Sequence, residues 1–184
     1  VMPNKRLDEA IDLPKLVEEL QARGIQLPIL IRFNDILSHR VGEMNHAFQK
    51  AIHDHKFDGS YHCVYPIKVN QQRQVVEEIL NYGKEFSFGL EAGSKPELLA
   101  VLSLVNGNVP IICNGFKEER YIEFTALAKK LGRNIIPVIE NITELKLILR
   151  FYEQHGVRPT IGVRVNLAAQ GAGRWRHSSG LKAK

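Results

Sequence analysis

Four glycines, Gly83, Gly107, Gly132 and Gly156, recur at intervals of 24, 25 and 24 residues, and this spacing constrains the fold more than any other feature. Each closes a stretch of helical periodicity: Gln72–Tyr82, Lys95–Val105, Lys117–Leu131 and Thr143–His155. A glycine just past a helix can take the left-handed conformation that ends it without a Cβ penalty. After each glycine comes a short apolar run: Phe86–Leu90, Pro110–Cys113, Ile135–Ile139 and Thr160–Val165. Gly59 stands likewise before Tyr61–Ile67. Short runs rich in Val, Ile, Phe and Tyr suit buried strands. The helix entries agree. Ser94-Lys95-Pro96-Glu97 has the spacing of a capping box, with Pro in the first turn, where its missing N–H costs little. Asn141 and Thr143 stand where they can cap the fourth helix.

One strand and one helix about every 25 residues require parallel strands joined by helical crossovers. An open doubly wound sheet and a closed (β/α)8 barrel both satisfy this. A Rossmann sheet is expected to carry G-x-G-x-x-G in its first turn, and here that turn is Lys68-Val69-Asn70-Gln71-Gln72, without glycine. The uniform period, with no visible switch point, favours the α/β class and a partial (β/α)8 TIM-like barrel of about five βα units. A closed barrel needs eight such units, so the chain reads as the N-terminal portion of something longer. It then divides into residues 1–58, an N-terminal helical and strand segment outside the period, and residues 59–184, the incomplete barrel. In the first part Leu27–Ile31 reads as a strand between helices at Leu13–Ala22 and Ile36–His53, the second with Leu37, Val41, Met44 and Phe48 along one side.

Composition narrows the function classes. With 44% apolar and 24% charged residues the chain is not a mainly disordered one. Its apolar runs fall far short of the roughly 20 residues of a membrane span, and Val1–Arg6 lead into polar sequence, not an apolar signal core. No membrane partner is expected. Two cysteines, Cys63 and Cys113, are too few for a disulfide framework and fit a reducing, cytoplasmic setting. The net charge of +5 is concentrated: Gln154–Lys184 has six basic residues and no acidic one. Removing those six from 25 leaves 19 basic against 20 acidic residues, so the body is almost neutral and no nucleic-acid partner is expected.

In a (β/α)8 barrel the chemistry sits at the C-terminal ends of the strands. Those positions hold Lys68 and Asn70, then Glu91, Asn114, Glu140, and finally Arg164 and Asn166. Asn70, Asn114 and Asn141 read equally as helix caps, and Glu140 as a solvated carboxylate. Glu91 shares a strand face with Gly89 and Ser87, and a carboxylate there needs a partner, for which Arg164 is a candidate. Lys68 ends a buried strand, on the face of Val64 and Pro66. Desolvation there would lower its pKa and suit it to form a Schiff base with an aldehyde; a lysine that snorkels to the rim is the alternative. The histidines show no metal-ligand spacing, and both cysteines read as small core residues. Gly171–Arg176 reads as an anion cradle or as a plain loop.

The segment Tyr65-Pro66-Ile67-Lys68-Val69-Asn70-Gln71-Gln72-Arg73 resembles the cofactor-lysine motif of biosynthetic arginine decarboxylases, pyridoxal-phosphate enzymes with an alanine-racemase-like barrel. Gly89–Leu98, Ile111–Gly115 and Gly162–Leu167 match the same family in the same order. The resemblance implies that Lys68 is the catalytic lysine that holds pyridoxal 5'-phosphate. It implies that Glu91 and Arg164 lie on the cofactor side. It further implies decarboxylation of L-arginine to agmatine and CO2 in polyamine (putrescine and spermidine) biosynthesis, a homo-oligomer, and Mg2+, for which the sequence shows no ligand set. The family's phosphate loop and substrate pocket fall beyond Lys184, so the chain by itself is expected to be inactive. A non-catalytic pyridoxal-phosphate-binding barrel, or a decarboxylase of diaminopimelate or lysine, remains open at this point.

Overall fold

The computed structural model describes residues 1–3 and 5–165. Two compact units part at Gly89 and Leu90. In the first, helices α1 (Leu13–Ala22) and α2 (Asn34–Asp54) precede strand β1 (Val64–Pro66) and helix α3 (Arg73–Gly83). Asp12 caps α1 by accepting the Lys15 N–H, and Pro14 sits in its first turn. The core of this unit is Val41 of α2 with Val75 and Ile79 of α3 and Phe88, and Leu37, Cys63, Tyr65 and Phe86 pack against it. The expected stripe of α2 is thus only partly inside. Leu37 and Val41 face the core, while Phe48 stacks on Tyr61 with ring centroids 3.8 Å apart.

Four expectations are corrected here. Leu27–Ile31 is not a strand. Leu27 and Leu30 are 59% and 75% exposed, Ile29 and Ile31 are only half-buried, and Pro28 has no N–H to give a ladder. The first strand is shorter than Tyr61–Ile67, because after Pro66 the chain turns into a 3-10 segment, Ile67–Val69. Gly83 is not a left-handed cap. Its φ is −79°, α3 runs on into a 3-10 turn at Lys84–Phe86, and Ser87 takes the left-handed conformation at φ 53°. A Cβ on Gly83 would stand 2.3 Å from the Cβ of Phe88, so glycine is required there by close approach. Expected at Phe86–Leu90, the second strand accordingly starts only at Gly89.

The second unit alternates strand and helix as the period requires: β2 (Gly89–Ala92), α4 (Lys95–Leu104), β3 (Ile111–Cys113), α5 (Glu119–Lys130), β4 (Ile135–Ile139), α6 (Ile142–Gln154) and β5 (Gly162–Val163). Its strands are parallel neighbours in chain order, with Leu90 opposite Ile111, Ile111 opposite Ile135, and Val138 opposite Gly162. Within the first unit the Gly89 N–H donates to Cys63 O at 2.9 Å. Gly107, Gly132 and Gly156 take φ of 65°, 78° and 67° after their helices, as expected of capping glycines. The succession of parallel strands and crossover helices is that of the expected partial (β/α)8 barrel.

The face of the strands toward the helices is fully buried through Leu90, Ala92, Ile111, Cys113 and Ile135. Beneath them Ile122 and Ala126 of α5 pack against Ile148 and Tyr152 of α6. Side chains alternate along a strand, so Glu91, Ile112 and Ile136, which are register partners, form a half-buried row on the opposite face. No helix among the described residues is long and apolar enough to cross a membrane.

Candidate active site at the strand ends

Lys68 lies two residues beyond the C-terminal end of β1, in the Ile67–Val69 turn. Ile67 beside it is buried, whereas Lys68 is exposed and makes no hydrogen bond or ion pair among the described residues. Of the two readings of Lys68, confinement on a strand face and a lysine at the rim, the exposed side chain agrees with the second. Asn70 fixes the next step of the chain. Its Oδ1 accepts the Gln72 N–H at 3.0 Å, and the Tyr65 hydroxyl donates to Asn70 O at 3.3 Å. This Asx turn leads into α3, whose cap position is Gln72, so Asn70 shapes the entry without being the cap.

In the second unit the parallel strands bring their C-terminal ends to one edge. Glu91 is half-buried in β2 and has no hydrogen bond or ion pair among the described residues. Its expected partner, Arg164, instead donates from Nη1 to Glu140 Oε1 at 3.0 Å, an exposed pair. The reason is register. Ile139 pairs with Val163, which sets Glu140 beside Arg164, while β3 and β4 stand between Glu91 and β5. Ser87 lies in the left-handed turn, so it does not share the strand face of Glu91. Asn166 and Gly171–Arg176 fall outside the described residues.

The loops at this edge interlock. Ala92 O accepts both the Asn114 N–H at 3.0 Å and the Tyr121 hydroxyl at 2.6 Å. Gly115 has φ 76°, and a Cβ there would lie 2.7 Å from Gly93 O, so the loops after β2 and β3 touch backbone to backbone. Asn114 does not cap α5, which begins only after Glu118; its Oδ1 is buried and without a partner among the described residues. Asn141 does cap α6, accepting the Glu144 N–H at 2.9 Å.

A pair that reading along the chain misses is Lys117 with Glu144, 3.4 Å apart and buried. Glu144 has a local signal, since Asn141-Ile142-Thr143-Glu144 carries capping-box spacing. Lys117 has none: its partner is 27 residues away and meets it only once β3 and β4 are neighbours. Both cysteines are free thiols. Burial pushes the Cys113 thiol up to about 12, so it is no nucleophile. Among the described residues no group of three or more His, Cys, Asp or Glu could hold a metal ion.

The side chains each unit presents are of the types that an anionic aldehyde such as pyridoxal phosphate takes. In the first unit Lys68 offers an accessible primary amine, which an aldehyde requires, and in the second unit, taken by itself, Arg164 keeps guanidinium N–H groups exposed, which suit anionic oxygens. The comparisons point the same way. The chain is similar over its whole length to the biosynthetic arginine decarboxylases of Rhodopirellula baltica, at 52% identity, and Gloeobacter violaceus, at 49%. It spans 28% and 29% of the length of those relatives. The crystal structure of the biosynthetic arginine decarboxylase SpeA from Campylobacter jejuni superposes with a TM-score of 0.74 and 33% identity, over 82% of this chain and 25% of that one. The family described as pyridoxal-dependent decarboxylase, pyridoxal binding domain, matches residues 40–184, and the chain belongs to that family.

Proposed function

We propose that the protein carrying this sequence decarboxylates L-arginine to agmatine and CO2, and that Lys68 is its cofactor lysine. The observation that carries the reading is Lys68 itself: a lysine just past a strand end, exposed and unpaired among the described residues, within the region matched to a pyridoxal-binding domain. The other lysines at these strand ends are engaged, Lys95 with Glu118 and Lys117 with Glu144. Similarity to relatives named arginine decarboxylases favours arginine over diaminopimelate or lysine as substrate, and decarboxylation over mere binding of the cofactor.

The chemistry that bound pyridoxal phosphate supplies is an electron sink for the pair released when the bond from Cα to the carboxylate breaks. The residues of this chain hold and orient. Lys68 would hold the cofactor through Nζ, a primary amine suited to an aldehyde carbon. Arg164 presents N–H donors to anionic oxygens while Glu140 holds its guanidinium. Glu91 offers a carboxylate with no competing partner among the described residues, suited to a cationic or donor group of the bound molecules. Agmatine, the expected product, is a polyamine precursor. We read residues 59–184 as the cofactor-binding part, the setting as cytoplasmic, in keeping with two free thiols, and the assembly as a homo-oligomer.

The test is turnover of L-arginine by the complete gene product that carries this sequence, with agmatine and CO2 measured. Lys68→Ala is expected to abolish both. Unchanged turnover in that variant would sink the assignment, and preference for lysine or diaminopimelate in a substrate panel would redirect it.

A further inference from the structure

Buried ion pairs are weak sources of stability, because removing two charges from water costs about as much as their attraction returns. Lys117 and Glu144 are nonetheless kept inside, their side chains 1% and 10% exposed. What the pair does is join backbone. Lys117 Nζ also donates to Gly115 O at 2.7 Å, and Glu144 Oε2 also accepts the Glu140 N–H at 2.8 Å. The loop after β3 is thereby tied to the first residue after β4. That residue, Glu140, holds the Arg164 guanidinium, and the Arg164 N–H donates to Ile139 O at 3.0 Å. A continuous path therefore runs from Lys117 through Glu144 and Glu140 to Arg164.

The cap of α6 alone does not explain the lysine. Helix α4 has the same arrangement, with Ser94 Oγ accepting the Glu97 N–H and Glu97 Oε2 accepting the Gly93 N–H at 2.7 Å. Glu97 has no cation paired with it among the described residues, so such a cap closes without one. The buried lysine is added only at the strand end whose next residue grips Arg164. We propose that Lys117 and Glu144 are positioning residues that set the Arg164 guanidinium through Glu140. This rests on reading Arg164 as a cofactor-side group.

The test uses the complete gene product with two variants. Lys117→Met removes the cation. Lys117→Met/Glu144→Gln removes both charges, leaves an amide oxygen for the Glu140 N–H, and carries the measurement where the single variant does not fold. In folded protein the dissociation constant for pyridoxal phosphate, read from its absorbance, is expected to rise about tenfold to a hundredfold, the scale of losing a hydrogen bond to a charged group. In an Arg164→Ala background the same substitutions are expected to add nothing further, since the path ends at that residue. Folded variants with wild-type cofactor affinity would overturn the proposal, as would a full additional loss in the Arg164→Ala background. Lys68→Ala is run in parallel: if it leaves cofactor binding and turnover intact, the reading of the site fails. A Lys68 effect beside silent Lys117 variants overturns the positioning role alone.

Discussion

Cys113, Tyr121 and Tyr152 sit in the interior of the second unit, and burial disfavours the charged form of each. The Cys113 thiol is pushed up to about 12 from an ordinary value of 9.0, Tyr152 likewise to about 12, and Tyr121 is raised as well. As pH rises the unfolded chain gives up these protons first and then binds fewer than the fold does. Stability that is fully present below the ordinary value is therefore lost as pH climbs through the raised ones. The urea midpoint of this unit is expected to fall steadily between about pH 9 and about pH 12; a flat midpoint across that range would contradict the burial of these groups. Glycine shows what can be read at this scale. Gly107, Gly132 and Gly156 are glycines for their φ, which a helix-then-glycine pattern reveals. Gly83 is a glycine because Phe88 approaches it, and that approach depends on the left-handed turn at Ser87, which no local pattern announces.

Elements were legible where their ends carry their own chemistry. Ser94 and Asn141 each accept the N–H three residues on, and each helix begins where the capping residue places it. Helix α1 agrees with its sequence bounds for the same reason, with Asp12 at its cap. Ser94→Ala and Asn141→Ala are each expected to lower stability by about 1 kcal/mol, the usual worth of a cap, measured as a drop in urea midpoint. No drop in either variant would mean that these helices are held by packing alone. Leu27–Ile31 was not legible, because an apolar run reads as a strand whether or not a neighbouring strand exists to receive it. Here it connects α1 to α2 and leaves Leu27 and Leu30 in solvent.

At the scale of the whole molecule, the βα period led directly to the strand ends, and so to Lys68, Glu91 and Arg164 as positions to inspect. Partner choice was hidden, since it follows from strand register. Glu140 meets Arg164 because β4 and β5 are neighbours, and Lys117 meets Glu144 because β3 and β4 are. At Lys68 a rim position was one of two readings, and what decides between them is a turn that the apolar run before it does not foretell. The central claim is that this lysine carries the cofactor. Reduction of the complete, pyridoxal-phosphate-loaded gene product with borohydride, followed by peptide mass mapping, tests it most directly. The account predicts a single pyridoxyl adduct on the peptide containing Lys68, lost in Lys68→Ala. An adduct on another lysine, or none, would contradict it.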